Sequence, residues 1–159
     1  MILLRTISII AIVALSSSYR PKYKPVYKAE ISTDSIILYM KELGIKHIGV
    51  VLQQIKLETW HLTFQGAPTL KECNNITAMR KARNRKTNNI GSVRKYAKYT
   101  NWRDCLRDYY YWQNQFGPIK TKIDYYKYLQ RRRYSVAKKY IRTLKRVPLT
   151  GHEIELINK

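Results

Sequence analysis

Apolar residues along the chain fall on a few helical faces separated by polar breaks. Ser32 or Thr33 can cap a helix carrying Ile36, Ile37, Leu38, Met40 and Leu43, with Asp34 in its first turn and Gly44 as its stop. A second helix is expected from Ile48 to Thr59, with Val50, Val51, Ile55 and Leu57 inward and Gln53, Gln54 and Lys56 as its polar positions. From Gly66 to Tyr99 the periodicity lapses, and Pro68, Asn74-Asn75, Asn88-Asn89 and Gly91 mark loops around a short, irregular β element. A helix resumes near Trp102, capped by Asn101, with Leu106, Tyr109, Tyr110 and Gln113 on related faces; Phe116-Gly117-Pro118 stops it. Two more helices are expected, from Asp124 to Arg132 and from Val136 to Val147, and Pro148 to Lys159 reads as a C-terminal tail. There is no internal repeat and no heptad seam.

The pattern describes a mainly α (α+β) domain over residues 31–147, and a chain of 159 residues is the size of one domain with its own core. Residues 1–18 read differently. Arg5 precedes a short apolar run from Ile7 to Leu15, followed by Ser16, Ser17 and Ser18, as in a secretory signal peptide cleaved after Ser16 or Ser18. An uncleaved N-terminal anchor or a buried strand are the alternatives. Residues 19–30, with Pro21 and Pro25 among basic residues, form the expected linker. An exported protein, periplasmic or extracellular, follows from this reading, with membrane anchoring or association with a virion as variants.

Charge narrows the partners. Lys and Arg number 31 against 10 Asp and Glu, a formal net charge of +21, which attracts a polyanion: nucleic acid, an anionic membrane or an anionic cell wall or envelope surface. Arg80, Lys81, Arg83, Arg85, Lys86, Arg94, Lys95 and Lys98 lie in a stretch without a single acid. They can hold an anionic glycan or a phosphate-bearing wall polymer, or, interleaved with Tyr96, Tyr99 and Trp102, a nucleic acid. A second basic group, Arg131, Arg132, Arg133, Lys138, Lys139, Arg142, Lys145 and Arg146, reads as a solvated helix face. The tyrosines from Tyr109 to Tyr128 read as core, while Trp60 and Trp112 could stack on sugar rings. Cys73 and Cys105 allow at most one disulfide and read as two buried thiols, and neither they nor His47, His61 and His152 have metal-site spacing. No cofactor is expected.

One acid stands out. Glu58 falls in the last turn of the second helix, at the end of an apolar stretch. Burial there and the negative end of the helix both raise a carboxyl pKa, so that it holds a proton near neutral pH and can give it to a leaving group, the task of a glycosidase's general acid. The simpler alternative is an acid that offsets its basic neighbours.

Downstream order favours the first alternative. Val51-Leu52-Gln53-Gln54-Ile55-Lys56-Leu57-Glu58-Thr59, then Cys73-Asn74-Asn75-Ile76-Thr77-Ala78-Met79-Arg80, then the run from Tyr96 through Trp102 to Tyr109, then Tyr125-Tyr126-Lys127-Tyr128-Leu129 and Tyr134 to Ile141, together resemble the β-N-acetylglucosaminidase family of peptidoglycan hydrolases. The likeness runs from about Asp34 to Val147. It implies a lysozyme-like helical domain with a small irregular β lobe, cleaving β-1,4 bonds of the cell-wall glycan. Glu58 matches the family's catalytic acid, Tyr99 a tyrosine lining the cleft, and Asn74-Asn75 a pair that opens the loop over the sugar; Tyr96, Trp60 and Trp102 are further candidate substrate contacts. The family has Gly where Trp60 follows Glu-Thr, and an aromatic-Gly where Thr77-Ala78 stands, so this loop is expected to take another path or shape. A second carboxylate is needed unless the substrate's own N-acetyl group serves as nucleophile; Glu72 is the candidate base, since Asp104 and Asp108 are placed to cap or to pair with Arg103 and Arg107. The rival functions are a catalytically inactive glycan-binding or structural envelope or virion protein of the same fold, and a basic nucleic-acid-binding protein.

Overall fold

Helix α1 (Thr33–Leu43) starts where Ser32 can close its open N-terminus: Ser32 Oγ accepts from Ser35 N–H at 3.1 Å, and the Ser35 hydroxyl accepts in return from Ser32 N–H. Gly44, at φ 73°, ends it in the left-handed region where glycine is unstrained. These details come from a computed structural model, which describes residues 31–115, 120–135, 137 and 139–159. The expected signal or anchor segment 1–18, the linker 19–30 and the Phe116-Gly117-Pro118 stop lie outside the described residues. Among the described residues, no helix is long and apolar enough to cross a membrane.

Helix α2 (Ile48–Thr59) matches its expected limits, but its polar positions do not face water. Every residue from Val50 to Lys56 is buried, because α1, α6 (Tyr140–Leu144) and α7 (Gly151–Asn158) pack around it. Its buried polar groups therefore need internal partners. Gln53 Nε2 donates to Val147 O at 2.7 Å and its Oε1 accepts from the Tyr126 hydroxyl at 3.0 Å; Gln54 Oε1 accepts from the Tyr109 hydroxyl at 2.7 Å. Lys56 Nζ lies 2.8 Å from both carboxylate oxygens of Glu153 and donates to Pro148 O.

That ion pair corrects the reading of residues 148–159 as a tail. They carry α7, whose Thr150 and Glu153 form a capping box, and Glu153 then reaches Lys56 on α2. The domain thus extends beyond Val147. The helix over 136–147 is also shorter than expected: α6 begins at Tyr140, and Val136 and Lys138 lie outside the described residues.

Between α2 and α4 (Trp102–Asn114) lie a short helix missed by periodicity, α3 (Pro68–Glu72), and an antiparallel pair, β1 (Gly91–Val93) and β2 (Tyr96–Lys98). The architecture is mainly α with this small β lobe. Helix α5 (Lys122–Arg131) follows, capped by Thr121. Its Tyr125, Tyr126, Tyr128 and Leu129 are buried with Tyr109 and Leu106 of α4, so these tyrosines are core.

Two non-glycine residues here hold a left-handed backbone that glycine would adopt without strain. Ala78 has φ 53° and Trp60, the C-cap of α2, has φ 49°. The chain thus adopts the left-handed backbone without glycine's freedom, a cost of about 1–2 kcal/mol per residue, partly offset by the greater chain entropy that a glycine would lose on folding. Ala78→Gly is accordingly expected to raise unfolding free energy by about 0.5–1 kcal/mol, seen as a higher urea midpoint at unchanged slope.

Candidate active site

Glu58 is half-buried in the last turn of α2. Its Oε1 accepts from the Tyr140 hydroxyl at 2.9 Å. Burial raises the carboxyl pKa above the usual Glu value, and the Tyr140 donor, which favours the ionised form, opposes it more weakly. A charge-balancing acid would have a cation beside it. Here the groups acting on the proton are the buried wall and a phenol, so the carboxyl holds its proton to higher pH than an ordinary glutamate while remaining partly exposed to solvent.

The wall is built of rings. Tyr140 lies 6.0 Å from Tyr134, centroid to centroid, and Tyr134 packs edge-on to Trp112 at 5.4 Å and to Tyr109 at 6.2 Å. Burial first, then the nearby Tyr140 and Glu58, raise the Tyr134 pKa, so the phenol stays neutral. Its hydroxyl donates to Thr77 O. This bond ties the loop opened by Asn74-Asn75 to the wall that holds the acid. Tyr140 falls within the helix expected over 136–147 and within the Tyr134 to Ile141 run, neither of which marks it as the acid's partner; the signal is a phenol close in the fold to a lone acid, which no local pattern encodes.

The other candidates separate into two groups. Trp60 is 62% exposed beside the acid's helix end, with its indole Nε1 near Gly66. Tyr96 is half-buried on β2, opposite Val93. Asn74 is half-buried at φ 50° and donates to Tyr99 O and Thr100 O at 3.0 and 3.1 Å. Glu72 is exposed at the end of α3, where its charge acts on the neighbouring Cys73 thiol, so it lacks the desolvated setting of Glu58.

Three candidates are structural. Asn75 is fully buried: its Nδ2 donates to Met79 O and Ala97 O, both at 2.8 Å, and its Oδ1 accepts from Met79 N–H. Tyr99 is buried and its hydroxyl donates to Asp108 Oδ2 at 2.6 Å; Asp108 also takes a bidentate grip from Arg85, whose side chain is 9% exposed. Trp102 is buried edge-on to Tyr39 at 5.8 Å, between α4 and α1. Their polar atoms and faces are occupied by partners within the fold. Asn75 and Tyr99 hold the loop in shape. Trp112, the other possible platform, is surrounded by Tyr109, Tyr128 and Tyr134.

Cys73 and Cys105 are both free and buried. Burial pushes the Cys105 thiol up to about 12, and its Sγ lies 3.1 Å from Thr77 Oγ1, so it serves the loop as an inert packing group. Among the described residues, no three His, Cys, Asp or Glu side chains gather as metal ligands.

What the fold and site define is a mainly α domain with a β lobe and one half-buried, hydroxyl-held acid. Compared with known proteins, the chain matches no family model, no curated protein and no solved structure.

Proposed function

We propose that this protein is an exported peptidoglycan hydrolase of the N-acetylglucosaminidase type, with Glu58 as general acid. The observation that carries the reading is the state of that carboxyl: half-buried, raised in pKa and held by Tyr140. Glu58 gives its proton to the glycosidic oxygen as the C1–O bond breaks. The remaining described acids do not supply a partner for it. Asp104 accepts from the Asn101 amide and pairs with Arg107, Asp108 is bound by Arg85, Glu153 by Lys56, Asp34 by His152 and Glu155 by Lys159, Asp124 accepts from the Thr121 hydroxyl, and Glu42 and Glu72 are exposed. The reaction therefore goes through the substrate's own 2-acetamido group, whose carbonyl oxygen attacks C1 while the leaving oxygen takes the proton. Water then opens the resulting ring and its proton returns to Glu58, leaving a reducing end.

The same shortage of carboxylates favours one second reading, a glycan-binding or structural envelope protein of this fold. Mass spectrometry of fragments from purified peptidoglycan decides between the two. Hydrolysis releases fragments ending in reducing N-acetylglucosamine; binding to sacculi with no released ends would leave only the binder.

A further inference from the structure

Several cations of the acid-free stretch are already committed. Arg85 is buried against Asp108, and Lys86 Nζ sits 4.5 Å from the centroid of the Tyr111 ring. Arg80, Lys81, Arg83 and Lys95, all exposed, turn instead onto one open groove of about 800 Å³, completed by Ala82 and Ser92. Backbone bonds shape it. Arg80 bridges to Tyr96 and Lys81 N–H donates to Lys95 O, which lays the segment beside the β1–β2 hairpin. No acid occurs from Cys73 to Arg103, so an anion in the groove relieves a repulsion that the fold leaves in place.

The hairpin turn points the same way by a separate route. Val93 pairs with Tyr96, so Arg94-Lys95 is a two-residue turn, and both residues have positive φ, 46° and 77°. Such a turn prefers Asn-Gly. Two long cations keep the strained backbone instead, and one of them lines the groove, which is the kind of strain retained where a segment has a task beyond folding.

We infer that this groove binds the backbone of a phosphodiester polymer that carries no bases, of which poly(glycerol phosphate) is the simplest. Four cations lining one open groove match a chain of single negative charges better than a flat bilayer, and the Ser92 hydroxyl adds a donor. The lining contains no ring, whereas single-stranded nucleic acid is held by aromatic platforms as well as charge. The inference rests on the wall-hydrolase reading for where such a polymer is met, but the groove itself does not use Glu58.

The test is binding of fluorescent poly(glycerol phosphate) to the full chain across a salt series. Two charge-matched variants are compared: Arg80→Gln/Arg83→Gln/Lys95→Gln in the groove, and Arg131→Gln/Arg142→Gln/Arg146→Gln on the exposed second basic group. The groove variant should bind about tenfold more weakly at low salt, with a log–log salt slope shallower by about two; the other variant should stay within about threefold of the parent. Equal losses in both would reduce the effect to net charge and overturn the inference. Tighter binding of single-stranded DNA than of poly(glycerol phosphate) at matched phosphate number would overturn it too, as would binding to phosphatidylglycerol vesicles in place of the polymer. Release of reducing ends from glycan stripped of phosphate polymer should be the same in the groove variant and the parent. If the parent itself releases none, the hydrolase reading falls while the binding result stands.

Discussion

Glu58→Gln should lower release of reducing ends from purified peptidoglycan by about 10²–10⁴-fold, the usual contribution of a general acid. The substitution preserves shape and leaves Oε1 as an acceptor for the Tyr140 hydroxyl, so what it removes is the transferable proton. Activity that survives it would sink the assignment. The pH dependence follows from the raised pKa. As the proposed general acid Glu58 acts in its protonated form, so the rate should fall as pH rises through its value, which lies above that of an ordinary glutamate. The Tyr140 donor lowers that value, hence Tyr140→Phe should move the falling limb to higher pH.

Stability offers a readout independent of substrate. A carboxyl raised in the folded state binds more protons folded than unfolded between the two pKa values. Its contribution to stability is thus intact at low pH and is lost as pH rises from the ordinary glutamate value through the raised one. Glu58→Gln lacks this loss. The difference in unfolding free energy between variant and parent should therefore grow in the variant's favour over that window; a difference independent of pH would show that the carboxyl is not held protonated by burial.

Glu153→Ala should cost about 3–5 kcal/mol, because it leaves the Lys56 ammonium buried without a counter-charge. The pair's side chains are 8% and 7% exposed, so water cannot make up the loss. It also removes one half of the capping box on α7. Lys56→Met with Glu153→Leu removes both charges and should recover most of the stability, whereas equal destabilisation in the single and double variants would assign the effect to packing alone. Chemical denaturation measures both. A chain ended at Val147 should behave like Glu153→Ala or worse, since it deletes α7 along with the carboxylate.

How much of this was legible in the sequence depended on how local the cause was. The caps of α1 and α4 and the limits of α2 follow from residues within a turn of each other, Ser32 with Ser35 and Asn101 with Asp104. Thr150-x-x-Glu153 is an equally local start signal for α7, but nothing nearby indicates that Glu153 would reach a lysine 97 positions away. Gln53, Gln54 and Lys56 look like a solvent face until three other helices enclose them. Glu58 was visible as an acid ending an apolar helix, but its partner Tyr140 is 82 positions distant. Tyr99 and Asn75 share residue types with sugar contacts; only the fold reveals that their polar atoms are spent on Asp108 and on backbone groups.

The enclosure of α2 has a kinetic meaning. Amides from Val51 to Ile55 lie under α1, α6 and α7, so their hydrogens should exchange with water only when the whole domain opens, whereas the exposed Arg94-Lys95 turn can open at smaller cost. Glu58 stands one turn beyond these enclosed amides, and exposed basic residues on the segment that opens more readily. Under the proposed function, a segment that yields would grip a polymer of irregular shape, while the proton donor to one oxygen atom would stay where the core puts it.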